Sequence, residues 1–359
     1  MDNLLLLLIV TTFTVNAQTS SVPCSSTLGC IGRVDCPKGH WHPSASLDGC
    51  CPGCVQGLGL HEPGCGTASP CLPGLACRSG SCELDSSSCL SAEHVPPEVS
   101  WTPTCDSSGR FQPVQCRGDL LHGRCFCYSS TGRRIFGSEW RGRATDMTCA
   151  CSRLRSDLEA SGRQDVTLHC SSNGNFEPLQ CDGGVCWCVE PKTGQPLPQV
   201  PAVLPSMWTK LPCYNSTQHG DRYLRQCESA ATAQKLVQQK FTVHGHTEVA
   251  LADVVCDYDG SYGPYEVQGG IAYCTWRDGQ RIAQFQTSTL KLKQMTCNCA
   301  RDQKIFAGAG LELKLLCDGN GNYAKLQDNN GEPFCVDRDG FVVASAVSPE
   351  DDCSQYVLP

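Results

Sequence analysis

Long apolar runs are almost missing from this sequence. Beyond residue 17 no segment is apolar enough to cross a bilayer, so a membrane-spanning chain is not expected. Aromatic residues make up only 7% of 359 positions, which argues against one large core. Neither sign of charge dominates. A net charge of -8 excludes a general binder of nucleic acid or other polyanions, although it leaves room for a local basic face. Catalytic signatures are missing too: there is no nucleophile elbow, phosphate-binding loop or helical His-Glu-x-x-His pattern. The expectation is a binding protein, not an enzyme, with no cofactor.

What the chain has instead is cysteine, 30 residues of it, together with 35 glycines and 22 prolines. That usage reads as a disulfide scaffold of small stapled modules made in an oxidising compartment. Leu4 through Val10 form an apolar run, followed by Val15, Asn16 and Ala17. This pattern predicts a signal peptide over residues 1–17 and a secreted, extracellular product. The last residues, Tyr356 to Pro359, fit no retention or lipidation signal.

A repeat emerges when the cysteines are aligned on the glycines that follow them. Cys105, Gly109 and Phe111 recur as Cys170, Gly174 and Phe176, as Cys256, Gly260 and Tyr262, and as Cys317, Gly321 and Tyr323. Asn173, Asp259 and Asn320 precede the glycine in three cases, which predicts a two-residue hairpin turn. Val114 and Gln115, Leu179 and Gln180, Val267 and Gln268, and Leu326 and Gln327 come next, then an aromatic followed by Cys at 126–127, 187–188, 273–274 and 334–335. Gly132, Gly194, Gly279 and Gly340 mark a second turn.

Unit 1 carries Cys89, Cys105, Cys116, Cys125, Cys127 and Cys149, and unit 2 carries Cys151, Cys170, Cys181, Cys186, Cys188 and Cys213. Units 3 and 4 hold four each and lack the third and fourth positions, where Gly269 and Ala272, and Asp328 and Pro333, stand instead. Paired loss argues that the third cysteine bonds the fourth, because a lone thiol invites mispairing. Spacing does not choose among the remaining connectivities, of which sequential pairing is the simplest. Met147-Thr148-Cys149-Ala150-Cys151 returns as Met295-Thr296-Cys297-Asn298-Cys299, so a two-unit cassette reads as duplicated. The one-residue gap predicts a rigid joint inside each pair, with flexing expected between Cys213 and Cys227.

The order Cys, turn Gly, aromatic, Gln-Cys, Cys-aromatic-Cys resembles the thyroglobulin type-1 domain. Gly174, Phe176, Pro178, Gln180, Cys181, Cys186, Trp187, Cys188 and Val189 carry the resemblance best. Unit 1 follows through Cys105, Asp106, Gly109, Phe111, Pro113, Val114, Gln115 and Cys116, with Phe126 and Tyr128 replacing the Trp and Val. The resemblance implies a small disulfide-rich multi-domain fold, each module a short helix plus small antiparallel hairpins. It also implies the pairs Cys89–Cys105, Cys116–Cys125, Cys127–Cys149, Cys151–Cys170, Cys181–Cys186, Cys188–Cys213, Cys227–Cys256, Cys274–Cys297, Cys299–Cys317 and Cys335–Cys353. The expected helices bury Leu154 and Leu158 behind Cys151, and Leu236, Val237 and Phe241 behind Cys227; Pro96 and Pro97 forbid one behind Cys89. The expected domains are 18–84, an irregular cysteine-rich N-terminal module, then 89–149, 151–213, a linker over 214–226, and degenerate units at 227–297 and 299–353.

Cys50, Cys51, Cys54, Cys65, Gly66, Cys71, Gly74, Leu75 and Cys77 resemble parts of the N-domain of insulin-like growth factor binding proteins, although Leu47 and Asp48 interrupt its Gly-Cys-Gly-Cys-Cys signature. His40 and His42 beside the cysteines are read without a metal, since oxidised sulfurs do not ligate zinc. Nine arginines face four acids between Cys105 and Arg155, with Arg133, Arg134, Arg141 and Arg143 closely spaced. A solvated face explains them plainly; a glycosaminoglycan contact is the alternative. Asn215-Ser216-Thr217 is a glycosylation acceptor. Thyroglobulin type-1 modules include inhibitors that wedge loops into papain-like cysteine proteases and modules of matrix or growth-factor-binding proteins. The resemblance therefore implies a partner that is an extracellular or lysosomal cysteine protease, or else a growth factor or matrix component. A wedge would use Gly183, Gly184, Trp187 and Val189 in unit 2, and Leu121, His122 and Gly123 in unit 1.

Overall fold

The computed structural model describes residues 39–42, 53–66, 69–72, 74–85, 88–90, 102–106, 109–120, 123–163, 165–245, 254–311, 314–345 and 347–354. The expected signal peptide, much of the N-terminal module, Pro96, Pro97, Leu121 and His122 lie outside these residues. The chain divides into two compact bodies, Met1–Glu83 and Leu84–Pro359. In the first, β1 (Gly39–His42) pairs antiparallel with β2 (Gly53–Gln56), and β3 (Leu75–Arg78) with β4 (Ser81–Leu84). Cys65–Cys77 and Cys71–Cys82 staple its second half.

The second body is built of four blocks, each closed by its own disulfides. Unit 1 is held by Cys89–Cys105, Cys116–Cys125 and Cys127–Cys149, and unit 2 by Cys151–Cys170, Cys181–Cys186 and Cys188–Cys213. Unit 3 is held by Cys227–Cys256 and Cys274–Cys297, and unit 4 by Cys299–Cys317 and Cys335–Cys353. Three-stranded sheets form from β5 (Val114–Arg117), β6 (Arg124–Tyr128) and β7 (Arg134–Trp140), from β10 (Tyr265–Gln268), β11 (Ile271–Thr275) and β12 (Arg281–Ser288), and from β13 (Leu326–Asn329), β14 (Glu332–Val336) and β15 (Val342–Ser345). Unit 2 has only β8 (Leu179–Asp182) and β9 (Val185–Cys188). Its helix α1 spans Ala150–Ala160; α2 spans Ser216–His219; α3 (Gln226–Val243) opens unit 3 and α4 (Asn298–Gly308) opens unit 4.

The repeated residues have identifiable jobs. Ser171 N–H donates to Asn175 O and Gly174 N–H to Ser171 O, so the first turn is a four-residue turn ending on a left-handed Gly174 (φ 82°), not the two-residue hairpin expected. The extra residues let Phe176 bridge back to Cys170. Its ring then lies on Gly194, as Phe111 lies on Gly132 and Tyr323 on Gly340. A methyl group at Gly194 would enter the ring's van der Waals space, and φ there is 73°. Gly194→Ala is therefore expected to cost about 1–3 kcal/mol by strain and overpacking, read as a lower thermal midpoint. The glutamine is an internal brace: buried Gln180 accepts from His169 N–H (2.9 Å) and donates to His169 O (2.8 Å) and Glu177 O (2.6 Å). Gln115 and Gln327 repeat this pattern.

Three further details depart from the reading of the sequence. In unit 3 the strand register sets Val267 against Ala272, where units 1 and 2 have Cys116 against Cys125 and Cys181 against Cys186. Val267, not Gly269, thus stands in the third-cysteine position, and it packs with Ala272 in an apolar cluster where the bridge would be. In α1 and α3 the helices form as expected, but Leu154, Leu236, Val237 and Phe241 are exposed. The buried positions are Cys151, Ser152, Arg155 and Ser156 in one, and Cys227 and Glu228 in the other. Disulfides and polar contacts, not a leucine stripe, seat these helices.

The four units close on one another. Cys149 and Cys297, both left-handed (φ 57°), end one unit and cap the next helix. Asn175 Oδ1 accepts from Thr148 N–H, and Asn322 Oδ1 from Thr296 N–H, each at 2.7 Å, so the two cassettes are joined alike. Flexing was expected between units 2 and 3, yet their contact is buried. His169 Nε2 meets Glu228 Oε2 at 2.7 Å, Tyr223 stacks on His169, Arg225 pairs with Glu177 at 2.6 Å, and Cys170 N–H donates to Tyr258 O at 2.9 Å. Unit 4 returns to unit 1. Asp302 pairs with Arg124 (2.7 Å) and Arg134 (3.4 Å) and accepts from Tyr323 OH (2.9 Å), while Asp339 accepts from Tyr128 OH and Asp337 pairs with Arg117. Phe341 meets Phe126 edge-on at 5.6 Å, and Phe306 lies 5.7 Å from Trp140.

Burial pushes the Asp302 carboxyl up, but Arg134 and Arg124 outweigh it and hold the group below the ordinary carboxylate range. A carboxylate depressed in the folded state stabilises above its unfolded pKa of about 3.9, and that contribution fades as pH falls through the lower folded value. The closure should therefore survive acidification to about pH 5. Urea unfolding below about pH 4 should show the intact chain losing stability relative to its own neutral value more steeply than an Asp302→Asn variant does.

Candidate functional site

Unit 2 differs from its neighbours because its sheet has no third strand. Pro196, Pro198, Pro201 and Pro205 occupy the returning segment, and proline donates no ladder hydrogen bond. The segment touches β9 only at points: Cys186 and Val203 exchange backbone hydrogen bonds at 2.8 Å each way, and Leu197 N–H donates to Cys188 O at 2.9 Å. The antiparallel Cys186–Val203 bridge sets Leu204 beside Val185, and Met207 N–H turns back onto Leu204 O at 2.9 Å. Val185, Leu204 and Met207 are 41%, 65% and 49% exposed, an apolar rim that no internal contact needs.

At the head of this rim stands the Gly183–Gly184 turn. Asp182 pairs with Val185 across it, and both glycines have positive φ (57° and 83°), the conformation of a tight two-residue hairpin. A side chain at either would meet open space, so these glycines serve the turn and not the packing. The turn is held from behind by Cys181–Cys186 and by Asp182, whose carboxylate accepts from Arg163 (3.0 Å) and from Thr167 N–H (3.0 Å). Trp208 is buried beneath with Leu179, Cys186 and Leu211, which fixes the segment carrying Leu204 and Met207.

The expected wedge residues therefore separate. Gly183 and Gly184 are exposed at the tip. Trp187 is half-buried against the cluster of Cys151, Cys170 and Phe176. Val189 is 2% exposed and cannot touch a partner; its neighbours are core residues, which is why an apolar residue stands there. Gly123 of unit 1 is buried against Gly118. Val185, Leu204 and Met207 escaped notice in the sequence because the bridge between Cys186 and Val203 and the turn from Leu204 to Met207 bring them together.

The arginine cluster also separates. Arg134 points inward, where burial opposes its charge but Asp302 and Asp339 raise its pKa above the usual value. Arg141 donates to Gly118 O, while Arg133 and Arg143 remain exposed. A continuous four-arginine face for a polyanion is thus not present, because pairing with unit 4 removes its second member. Asn215 is exposed, and its Oδ1 accepts from Thr217 N–H and Thr217 Oγ1 at the start of α2.

Among the described residues no helix is long and apolar enough to cross a membrane. The chain is 26% identical to bovine thyroglobulin over 179 residues, which cover 48% of this chain and 6% of that one. It is 25% identical over 214 residues to equistatin of Actinia equina, covering 55% of this chain and 78% of equistatin. With mouse nidogen-2 it shares 32% over 114 residues, or 26% of this chain and 8% of the relative. The chain thus spans only a small part of the thyroglobulins it matches, and most of equistatin. The model of the thyroglobulin type-1 repeat matches residues 82–149 and 151–204. The disulfide blocks, the hairpins and these matches together make residues 82–149 and 151–204 of this chain two adjacent thyroglobulin type-1 repeats.

Proposed function

We propose that the protein is a secreted inhibitor of papain-like cysteine proteases and that unit 2 supplies the docking edge. The observation that carries this reading is the exposed Gly183–Gly184 turn with Val185, Leu204 and Met207 beside it, mounted on Cys181–Cys186 and the buried Trp208. Such an edge is held in shape before binding, so little conformational entropy is lost when it enters a cleft. Units 3 and 4, over 227–297 and 299–353, are proposed as degenerate repeats that hold the scaffold closed. The full secreted chain, titrated against papain with a fluorogenic peptide, should inhibit at nanomolar to low-micromolar concentration; full activity at tens of micromolar chain would overturn the reading.

Secretion and glycosylation belong to the same proposal. Asn215-Ser216-Thr217 is the sequence's one acceptor triplet and lies on an exposed turn. Endoglycosidase treatment should shift the mobility of the secreted chain and leave an Asn215→Gln variant unshifted.

A further inference from the structure

The hairpin that unit 2 leaves free is covered in unit 1. The strand register equates Arg117 and Arg124 with Asp182 and Val185, as the last facing pair before the turn. Val185 is 41% exposed, whereas Arg117 and Arg124 are 6% and 5%. Phe126, which stands where unit 2 has Trp187, is 1% exposed with Phe341 of unit 4 on its edge. Tyr128 is equally buried and donates to Asp339. Unit 4 brings Asp302, Asp337 and Asp339 to Arg117, Arg124 and Arg134, so acidic residues meet a basic hairpin. Arg338 adds a bond to Gly132 O at 2.6 Å. Opposite charges, a filled aromatic contact and deep burial mark a completed interface, made within one chain.

We propose that unit 4 is the resident partner of the unit 1 hairpin, so that one molecule of this chain accepts a single protease, at unit 2. The proposal rests on the reading of unit 2 as the docking edge. It makes the copied cassette an internal closure for the first one. Two of the four repeats thereby serve to occupy and steady a surface that would otherwise compete for partners.

Two measurements on the full chain test it separately. With papain in slight excess and the chain about tenfold above the parent's inhibition constant, light scattering of the separated complex should give one papain per chain, and a Val185→Arg chain, weakened about 100-fold, should run mostly free under the same conditions. Two papains per chain, or one still held by Val185→Arg, would overturn the proposal. Independently of any protease, phenylglyoxal should modify Arg143 in the native protein and spare Arg117 and Arg124, as mass mapping reads it. An Asp302→Asn, Asp339→Asn chain should lose that protection. Equal reactivity of Arg117, Arg124 and Arg143 in the unaltered chain would show that the hairpin is not covered. Failure of papain to bind, with Arg117 and Arg124 still spared, would remove the docking role of unit 2 and the stoichiometry with it, and leave the covered hairpin standing.

Discussion

Asp302→Ala should lower the stability of the second body by about 3–5 kcal/mol, the usual result of deleting one partner from a buried ion pair. Asp302 is 1% exposed and is shared by Arg124, Arg134 and Tyr323, so its removal strands buried Arg124 and leaves Arg134 only its longer contact with Asp339 at 3.8 Å. Each unit keeps its own disulfides and should not unfold. What opens is the seam between units 1 and 4, and Trp140, packed on Phe306, is placed to report it by fluorescence. Chemical denaturation should show a lower midpoint, and light scattering a larger hydrodynamic radius. Replacing Asp302 by Leu together with Arg124→Met and Arg134→Met should restore most of the loss, because the cost lies in stranded charge and not in missing attraction. A radius and midpoint equal to those of the intact chain would show that the seam contributes nothing.

Val185→Arg should weaken papain inhibition by about 100-fold, within the range seen when a central interface residue is spoiled. Val185 belongs to no buried cluster, so folding should be unaffected and the thermal midpoint should stay within about 1 °C of the parent. The substitution puts a solvated cation where the rim of Leu204 and Met207 is apolar, and the bound state would have to desolvate it. Leu204→Arg should act in the same direction, while Val185→Ile should be tolerated. An inhibition constant for Val185→Arg within threefold of the parent value would place the docking edge elsewhere on the chain.

Local chemistry was legible in the sequence, and long-range pairing was not. Cysteine order, the turn glycines and the aromatic that follows them mark each repeat, since these residues act on neighbours within a few positions. Gly174 and Gly194 report a left-handed backbone and a ring lying overhead, both local matters. Asp302 shows the opposite case. It occupies the α4 position equivalent to exposed Leu154 in α1, and nothing nearby announces that Arg124 and Arg134 lie against it. For the same reason the arginine run looked like a surface when read along the chain, and the joint after Cys213 looked loose when Glu228 was in fact docked on His169. The docking rim was hidden as well: Val185 and Leu204 are neighbours because prolines reduce the pairing of the returning segment to isolated bridges, one of them at Val203. Val267 was missed because Gln268 resembles the bracing glutamine of the other units although it stands two positions later, and the strand pairing of Val267 with Ala272 sets the true correspondence.

The left-handed cysteines at 149 and 297 carry an implication for how such chains grow. Each is at once the final clasp of one module and the first support of the next helix, with Asn175 or Asn322 reaching back across the seam. A cut placed between the two cysteines would deprive both neighbours of an end. The smallest piece that can be copied intact is therefore the pair, and lengthening of this architecture by duplication should proceed in twos.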